Sequence, residues 1–238
     1  MANGWRCCYC CWNEERTALL QLKANIKYST SDDDYLSSWG ANETSDCCRW
    51  EGIVCSNTTR RVIELSIIAK EEQLSNGFEK LRRLRKLEVL DLSGNSFNHS
   101  IFEPISQLSS LKSLNLSRNF IGLLSERLSG LDKLEILDLS YNYLDFENIF
   151  STLHFPNWLL ENNSRLGEVH LDGNAFTGSL QLPFLPNLEA LDISNNKIQG
   201  ELPSNIGSIF PKLSGLIMSN NMLEGLFPSN FGDMEDLF

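Results

Sequence analysis

Histidine is scarce in this 238-residue chain, with three residues, His99, His154 and His170, that share no acid or nucleophile motif. No phosphate-binding glycine loop, dinucleotide fingerprint or nucleophile elbow occurs either. The usual routes to a catalytic centre are therefore missing, and a non-enzymatic role without a cofactor is expected. Basic residues are outnumbered, 20 against 31 acidic ones, for a formal net charge of −11. That balance speaks against nucleic acid, because phosphate binding rests on clustered Lys and Arg. The one basic run, KLRRLRK from Lys80 to Lys86, is interrupted by Leu81 and Leu84 and reads as a solvated helix face. No apolar stretch approaches the ~18 residues needed to cross a bilayer. The opening MANGWRCCYCCWNEER also lacks the apolar core of a signal peptide. Cysteine is absent beyond Cys55, which confines disulfide chemistry to the N-terminal part.

What is present is a repeat. With 42% hydrophobic and 21% charged residues the chain has the makings of a packed core. The pattern LxxLxxLxLxxN appears as LRKLEVLDLSGN from Leu84, LSSLKSLNLSRN from Leu108 and LDKLEILDLSYN from Leu131. It returns as NSRLGEVHLDGN from Asn163, LPNLEALDISNN from Leu185 and FPKLSGLIMSNN from Phe210. The closing asparagines, Asn95, Asn119, Asn142, Asn174, Asn196 and Asn221, are 24, 23, 32, 22 and 25 residues apart. Four of these five spacings fit a leucine-rich repeat. The fold class is α/β: a leucine-rich-repeat solenoid with a curved parallel sheet on its concave side.

Side-chain alternation in LEVLDLSGN sends Leu87, Leu90 and Leu92 inward and leaves Val89, Asp91 and Ser93 on the concave surface. The recurring Asn turns inward to satisfy backbone groups that the bend leaves unpaired. Asp91, Asp138 and Asp192 recur at one repeat position, so they read as a periodic structural or surface feature rather than a catalytic carboxylate pair. Between Asp145 and Asn162 the chain is too long for an ordinary arc, and an inserted helical turn around Trp158, Leu159 and Leu160 is expected to pack on the solenoid.

After the closing Asn, later units read AFTGSLQLPF, KIQGELPSNI and MLEGLFPSNF, with Gly200, Pro203, Gly207, Gly225 and Pro228 at recurring places. These resemble the plant-specific leucine-rich repeat, which implies short extra strands and 3₁₀ turns on the convex side. Upstream, NEERTALLQLKANIKY from Asn13 to Tyr28 spaces Ala18, Leu19, Leu22 and Ile26 as one helix face. The ordered elements CWNEERTALLQLK, LSSW, DCCRWEGIVC and RVIEL resemble the N-terminal cap of plant extracellular leucine-rich-repeat proteins. A terminal repeat has no neighbour to cover its core, so a cap is physically required. The resemblance implies disulfides Cys11–Cys47 and Cys48–Cys55. Cys7, Cys8 and Cys10 have no family counterparts, and Cys10 adjoins Cys11 as a competing partner. Zinc binding and S-acylation are alternatives for that cluster, but residues 1–10 are expected to lie outside the fold. The cap then covers 11–60 and the repeats 61–238, as about six full units, cut short at the C-terminus, with an irregular one over 131–162.

The phrases NWLLENNSRL, LPNLEALDISNNKIQGELPSNIGSIFPKL and FGDMEDL make the chain similar to plant receptor-like proteins of the Cf type. That resemblance implies an extracellular ligand-recognition ectodomain, in defence or development, signalling through partner receptor kinases. Its partners would be a peptide or protein ligand and a co-receptor or adaptor kinase, with no metal and no nucleic acid. A secreted inhibitor of microbial polygalacturonase shares the cap and repeat subtype and is the second reading; a truncated, inactive product is the third. Sequons at Asn42, Asn57, Asn98, Asn115 and Asn162 fit passage through the secretory pathway, although a glycan on Asn115 would block part of the concave face. The concave positions that vary between repeats, and so are expected to touch a ligand, are Ser113, Arg118, Ile136, Tyr141, Glu168, His170, Ile217 and Asn220.

Overall fold

Three residues per strand suffice here because each strand needs only to pass one backbone ladder to its neighbour. The computed structural model describes residues 11–25, 36–40, 42, 45–68, 78–124, 128, 130–144, 157–161, 163–229 and 231. Helix α1 (Asn13–Ala24) opens the cap, with Glu14 and Glu15 in its first turn and Lys23 in its last, as the helix dipole favours. It buries Ala18, Leu19 and Leu22. The helix ends before Tyr28, with Asn25 as its C-cap, and Ile26 lies outside the described residues. Strands β1 (Ile53–Cys55) and β2 (Val62–Ser66) follow.

The cap is held by single, unlike contacts. Cys11 is bonded to Cys47 and Cys48 to Cys55. Trp39 and Trp50 stack with centroids 5.6 Å apart, and Trp39 Nε1 donates to the Glu51 carbonyl. Glu15 is fully buried yet satisfied: Arg61 Nε donates to it at 2.7 Å and the Val62 amide at 3.0 Å. Gly52 has φ +71° and lies against the Ser66 carbonyl, so any β-carbon there would collide with backbone.

The repeats contribute β3 (Val89–Asp91), β4 (Ser113–Asn115), β5 (Ile136–Asp138) and β6 (Glu168–His170) to the main sheet. Beyond β7 (Thr177–Gly178), strand β8 (Ala190–Asp192) continues it; beyond β9 (Lys197–Glu201), so does β10 (Gly215–Ile217). The order is β1-β2-β3-β4-β5-β6-β8-β10. All neighbours from β2 onward are parallel, as the periodicity predicts. The first pair lies at the cap and differs: β1 runs antiparallel to β2. A short hairpin can join only antiparallel strands, so the cap closes the sheet edge with one. On the convex side β7, β9 and β11 (Met222–Glu224) form a second, parallel sheet. The repeats turn there through 3₁₀ segments such as Phe78–Arg83 and His99–Ile101 and the short helices α2 (Phe102–Ile105), α3 (Asn157–Glu161) and α4 (Ile206–Ile209).

Between the two sheets the leucine columns are dry. Leu87, Leu90, Leu92, Leu111, Leu114, Leu116, Leu134, Leu137 and Leu139 are all fully buried. Leu159 and Leu160 of α3 join this core, so the inserted turn packs on the solenoid. The asparagines tie each unit to the last. Asn119 Nδ2 donates to the carbonyls of Leu92, Leu116 and Ser117 at 2.9–3.1 Å, while its Oδ1 accepts the Phe97 amide. Asn142, Asn196 and Asn221 repeat both halves of this arrangement.

Candidate ligand-binding face

Three exposed columns cross the concave surface because the inward residues are spent on the core. The first column runs Glu64, Val89, Ser113, Ile136, Glu168, Ala190 and Gly215 in register. Two residues on, the second runs Ser66, Asp91, Asn115, Asp138, His170, Asp192 and Ile217. The third lies beyond the strands, at Gly94, Arg118, Tyr141, Gly173, Asn195 and Asn220, all with φ between +51° and +64°. This left-handed residue closes the turn that aims the following Asn inward. Its amide still bonds the next repeat: Arg118 donates to Ser140, and Tyr141 to Asp172.

Of the residues expected to meet a ligand, Ser113, Ile136 and Glu168 stand side by side in the first column. His170 and Ile217 belong to the second column. Arg118, Tyr141 and Asn220 sit in the third, on the turn at the edge of the sheet rather than on a strand. The Arg118 guanidinium lies 5.1 Å from the centre of the Tyr141 ring, an exposed cation–π pair. Asn220 is already engaged, donating to Asn195 Oδ1 at 2.8 Å. Ile217 is half exposed beside the last described strands.

The aspartate column has a local task. Asp91, Asp138 and Asp192 each accept the amide of the Ser two residues later, Ser93, Ser140 and Ser194, at 2.9 Å. Asn115 does the same for Ser117. Such side-chain-to-backbone bonds close the turn leaving each strand. The fourth repeat breaks the pattern twice: His170 replaces the aspartate, and Asp172 replaces the serine. His170 pairs in register with Asp138 on one side and Asp192 on the other, and Glu168 lies 4.0 Å away. Asp172 is only 9% exposed. Burial raises its pKa above the ordinary carboxylate value, and the Asp192 charge adds to this, as does Asp138 more weakly. Its own backbone amide and His170 pull the other way.

Asp172 was not among the expected site residues, although its departure from the repeat's serine was visible in the sequence. Two exposed aromatics were also missed. Phe120 and Tyr143 each follow a ladder asparagine and stack at 5.8 Å, inclined by 8°. One residue per repeat at that position carries too weak a signal to read without the stacking of units.

The basic run behaves as expected, though on a 3₁₀ segment: Leu81 and Leu84 are buried while Arg82, Arg83 and Arg85 face solvent. With Arg61 and Glu14 they border an open polar groove of about 780 Å³. Among the sequons, Asn42, Asn57 and Asn98 are exposed and Asn115 is half-buried on β4. Asn162, Cys7, Cys8, Cys10 and His154 lie outside the described residues. Two groups of metal-capable side chains converge among the described residues. One, Cys11, Asp46 and Cys48, has both sulfurs in disulfides; the other is His170, Asp172 and Asp192.

Residues 13–56 match the leucine-rich-repeat N-terminal domain. Leucine-rich repeats match over 85–144, 133–158, 187–209 and 212–234. The chain is 39% identical over 150 residues to Receptor-like protein 14 of Arabidopsis thaliana, covering 48% of this chain and 15% of that protein. It is 32% identical over 210 residues to Receptor like protein 21 of the same plant, covering 82% of this chain and 21% of that one. The chain thus spans less than a quarter of the length of these relatives. Among solved structures it resembles a plant ice-binding protein, with a TM-score of 0.71 and 28% identity over 91% of this chain and 66% of that one. It also resembles the plant peptide hormone receptor RGFR1 in complex with RGF2, with a TM-score of 0.51 and 28% identity over 61% of this chain and 22% of that one.

Proposed function

We propose that this chain, which belongs to the plant leucine-rich-repeat receptor-like proteins, recognises an extracellular peptide or protein on its concave face and signals through a partner receptor kinase. One observation carries the reading. Framework residues of the repeat are buried or bonded within it, while the exposed columns change chemistry from unit to unit. A run of serine, isoleucine and glutamate in the first column, next to an Arg–Tyr pair and a histidine, can discriminate partners by charge and shape. The peptide-bound form of the similar RGFR1 supports a peptide as the class of ligand. No described helix is long and apolar enough to cross a membrane. The role is non-enzymatic.

The test is retention of plant extracellular peptides by the immobilised chain, in the presence of a chelator, identified by mass spectrometry. Arg118→Glu, Tyr141→Ala and His170→Ala are expected to lose retained peptides while keeping the wild-type melting temperature. Equal retention by all three variants overturns the assignment of this face. Inhibition of a microbial polygalacturonase would instead favour the secreted-inhibitor reading.

A further inference from the structure

We propose that His170, Asp172 and Asp192 form a site for a divalent transition-metal ion of the zinc class on the concave face. One donor atom from each of the three lies within 4.8 Å of the others; His170 and Asp192 stand in register on neighbouring strands, and Asp172 follows on the turn two residues after His170. Zinc holds nitrogen and oxygen ligands at about 2.0–2.2 Å, so small side-chain rotations bring all three onto one ion. An imidazole with two carboxylates suits zinc, copper or nickel better than calcium or magnesium, which prefer all-oxygen sets.

The independent observation is Asp172. The residue is only 9% exposed, and no other described residue donates a hydrogen bond to its carboxylate. The charges acting on it are Asp192, Asp138 and His170, with no Lys or Arg among them. A desolvated carboxylate facing a second carboxylate is unfavourable unless a cation joins them. Elsewhere the same position is serine, at Ser93, Ser117, Ser140, Ser194 and Ser219, and in four of these five an Asp or Asn two residues earlier closes the turn. In the fourth repeat that bond is lost through His170, and the Asp172 side chain makes no framework bond in its place. The turn is closed without it, since Asn174 donates to the Leu171 and Asp172 carbonyls.

Three protein ligands leave one coordination position open toward the concave face, where a carboxylate or imidazole of a bound peptide can complete the shell. The inference thus deepens the ligand-binding reading of this face. Metal binding is measured without any peptide, and peptide retention in chelator, so either can fail alone.

The experiment titrates zinc into the chelator-stripped full chain carrying Cys7→Ser, Cys8→Ser and Cys10→Ser, which removes competing thiols. Calorimetry and competition with a chromophoric chelator read the stoichiometry and affinity. One equivalent is expected to bind. Asp172→Ser, restoring the residue of the other repeats, and His170→Asp, restoring that of three of them, are expected to weaken binding at least about tenfold, since even outer-shell changes cost that much. Both variants are expected to melt in chelator no lower than the parent. Zinc should also shift the imidazole signals that are missing from the His170→Asp spectrum. Absence of stoichiometric binding, equal affinity in both variants, or unshifted His170 signals overturns the proposal.

Discussion

The cap and the repeat array solve the same problem, burying a leucine surface, by opposite means. In the cap each stabilising contact occurs once, and the longest-range ones join residues far apart in sequence. Glu15 reaches Arg61, and Cys11 reaches Cys47. In the array each contact is made again one unit later, and nearly all join adjacent units. Asn119, Asn142 and Asn196 each bond to their own turn and to the previous one. The cap should therefore fail as a whole, while the array should fail by degrees. That is how nearest-neighbour stacking behaves.

The largest effect is expected from breaking the cap. Cys11→Ala with Cys47→Ala opens a loop of sequence separation 36, and the chain-entropy model sets the loss near 3.8 kcal/mol. Chemical denaturation should show the α1 and Trp39–Trp50 signals lost together, ahead of the repeats. A single transition unchanged from the parent would remove the contrast between the two regions.

A smaller effect is expected within the array. Asn119→Ala strands the Phe97 amide and removes one of the two amide donors on each of the Leu92 and Leu116 carbonyls, at a cost of about 1–3 kcal/mol. Hydrogen exchange should speed up at Phe97 and Phe120 and their neighbours while the cap keeps its protection. Loss of cap protection in the same variant would show that the two regions unfold as one.

The smallest effect concerns Asp172, and its sign follows from its raised pKa in the folded state. The unfolded chain releases this proton first, so the folded state holds more protons through the interval between the two pKa values. Its stability contribution is full below the unfolded value and is lost as pH rises through the folded one. Asp172→Asn, melted in chelator, should therefore gain stability relative to the parent at neutral pH, with the gain shrinking as the buffer is made acidic. A gain that grows toward acid pH would contradict the burial of this carboxylate.

Much of this was legible from residue order. The leucine spacing predicts the inward columns, and Leu90, Leu114 and Leu137 are indeed fully buried. The asparagine spacing predicts the ladder, because a buried amide at a fixed period is tolerable only when bonded. Arg118, Tyr141 and Asn220 were recognisable as variable and outward, but not as left-handed turn residues. Nothing in their side chains favours positive φ in Arg or Tyr; the neighbouring repeats impose it. The cluster around His170 was the least legible. His170 and Asp172 are close in sequence, but Asp138 and Asp192 reach them only through register across strands.

The sequence by itself determined the repeat, its inward face, its capped beginning and its buried asparagines. Each of these is a periodic or local demand of hydrophobic burial and backbone satisfaction, and period is what a linear string records directly. Only the tertiary structure decided which exposed residues become neighbours. Parallel stacking places residues more than twenty positions apart on adjoining strands, and the irregular fourth unit shifts that distance. Asp138 and Asp192 flank His170 because of strand register, and register is set by packing across the whole sheet.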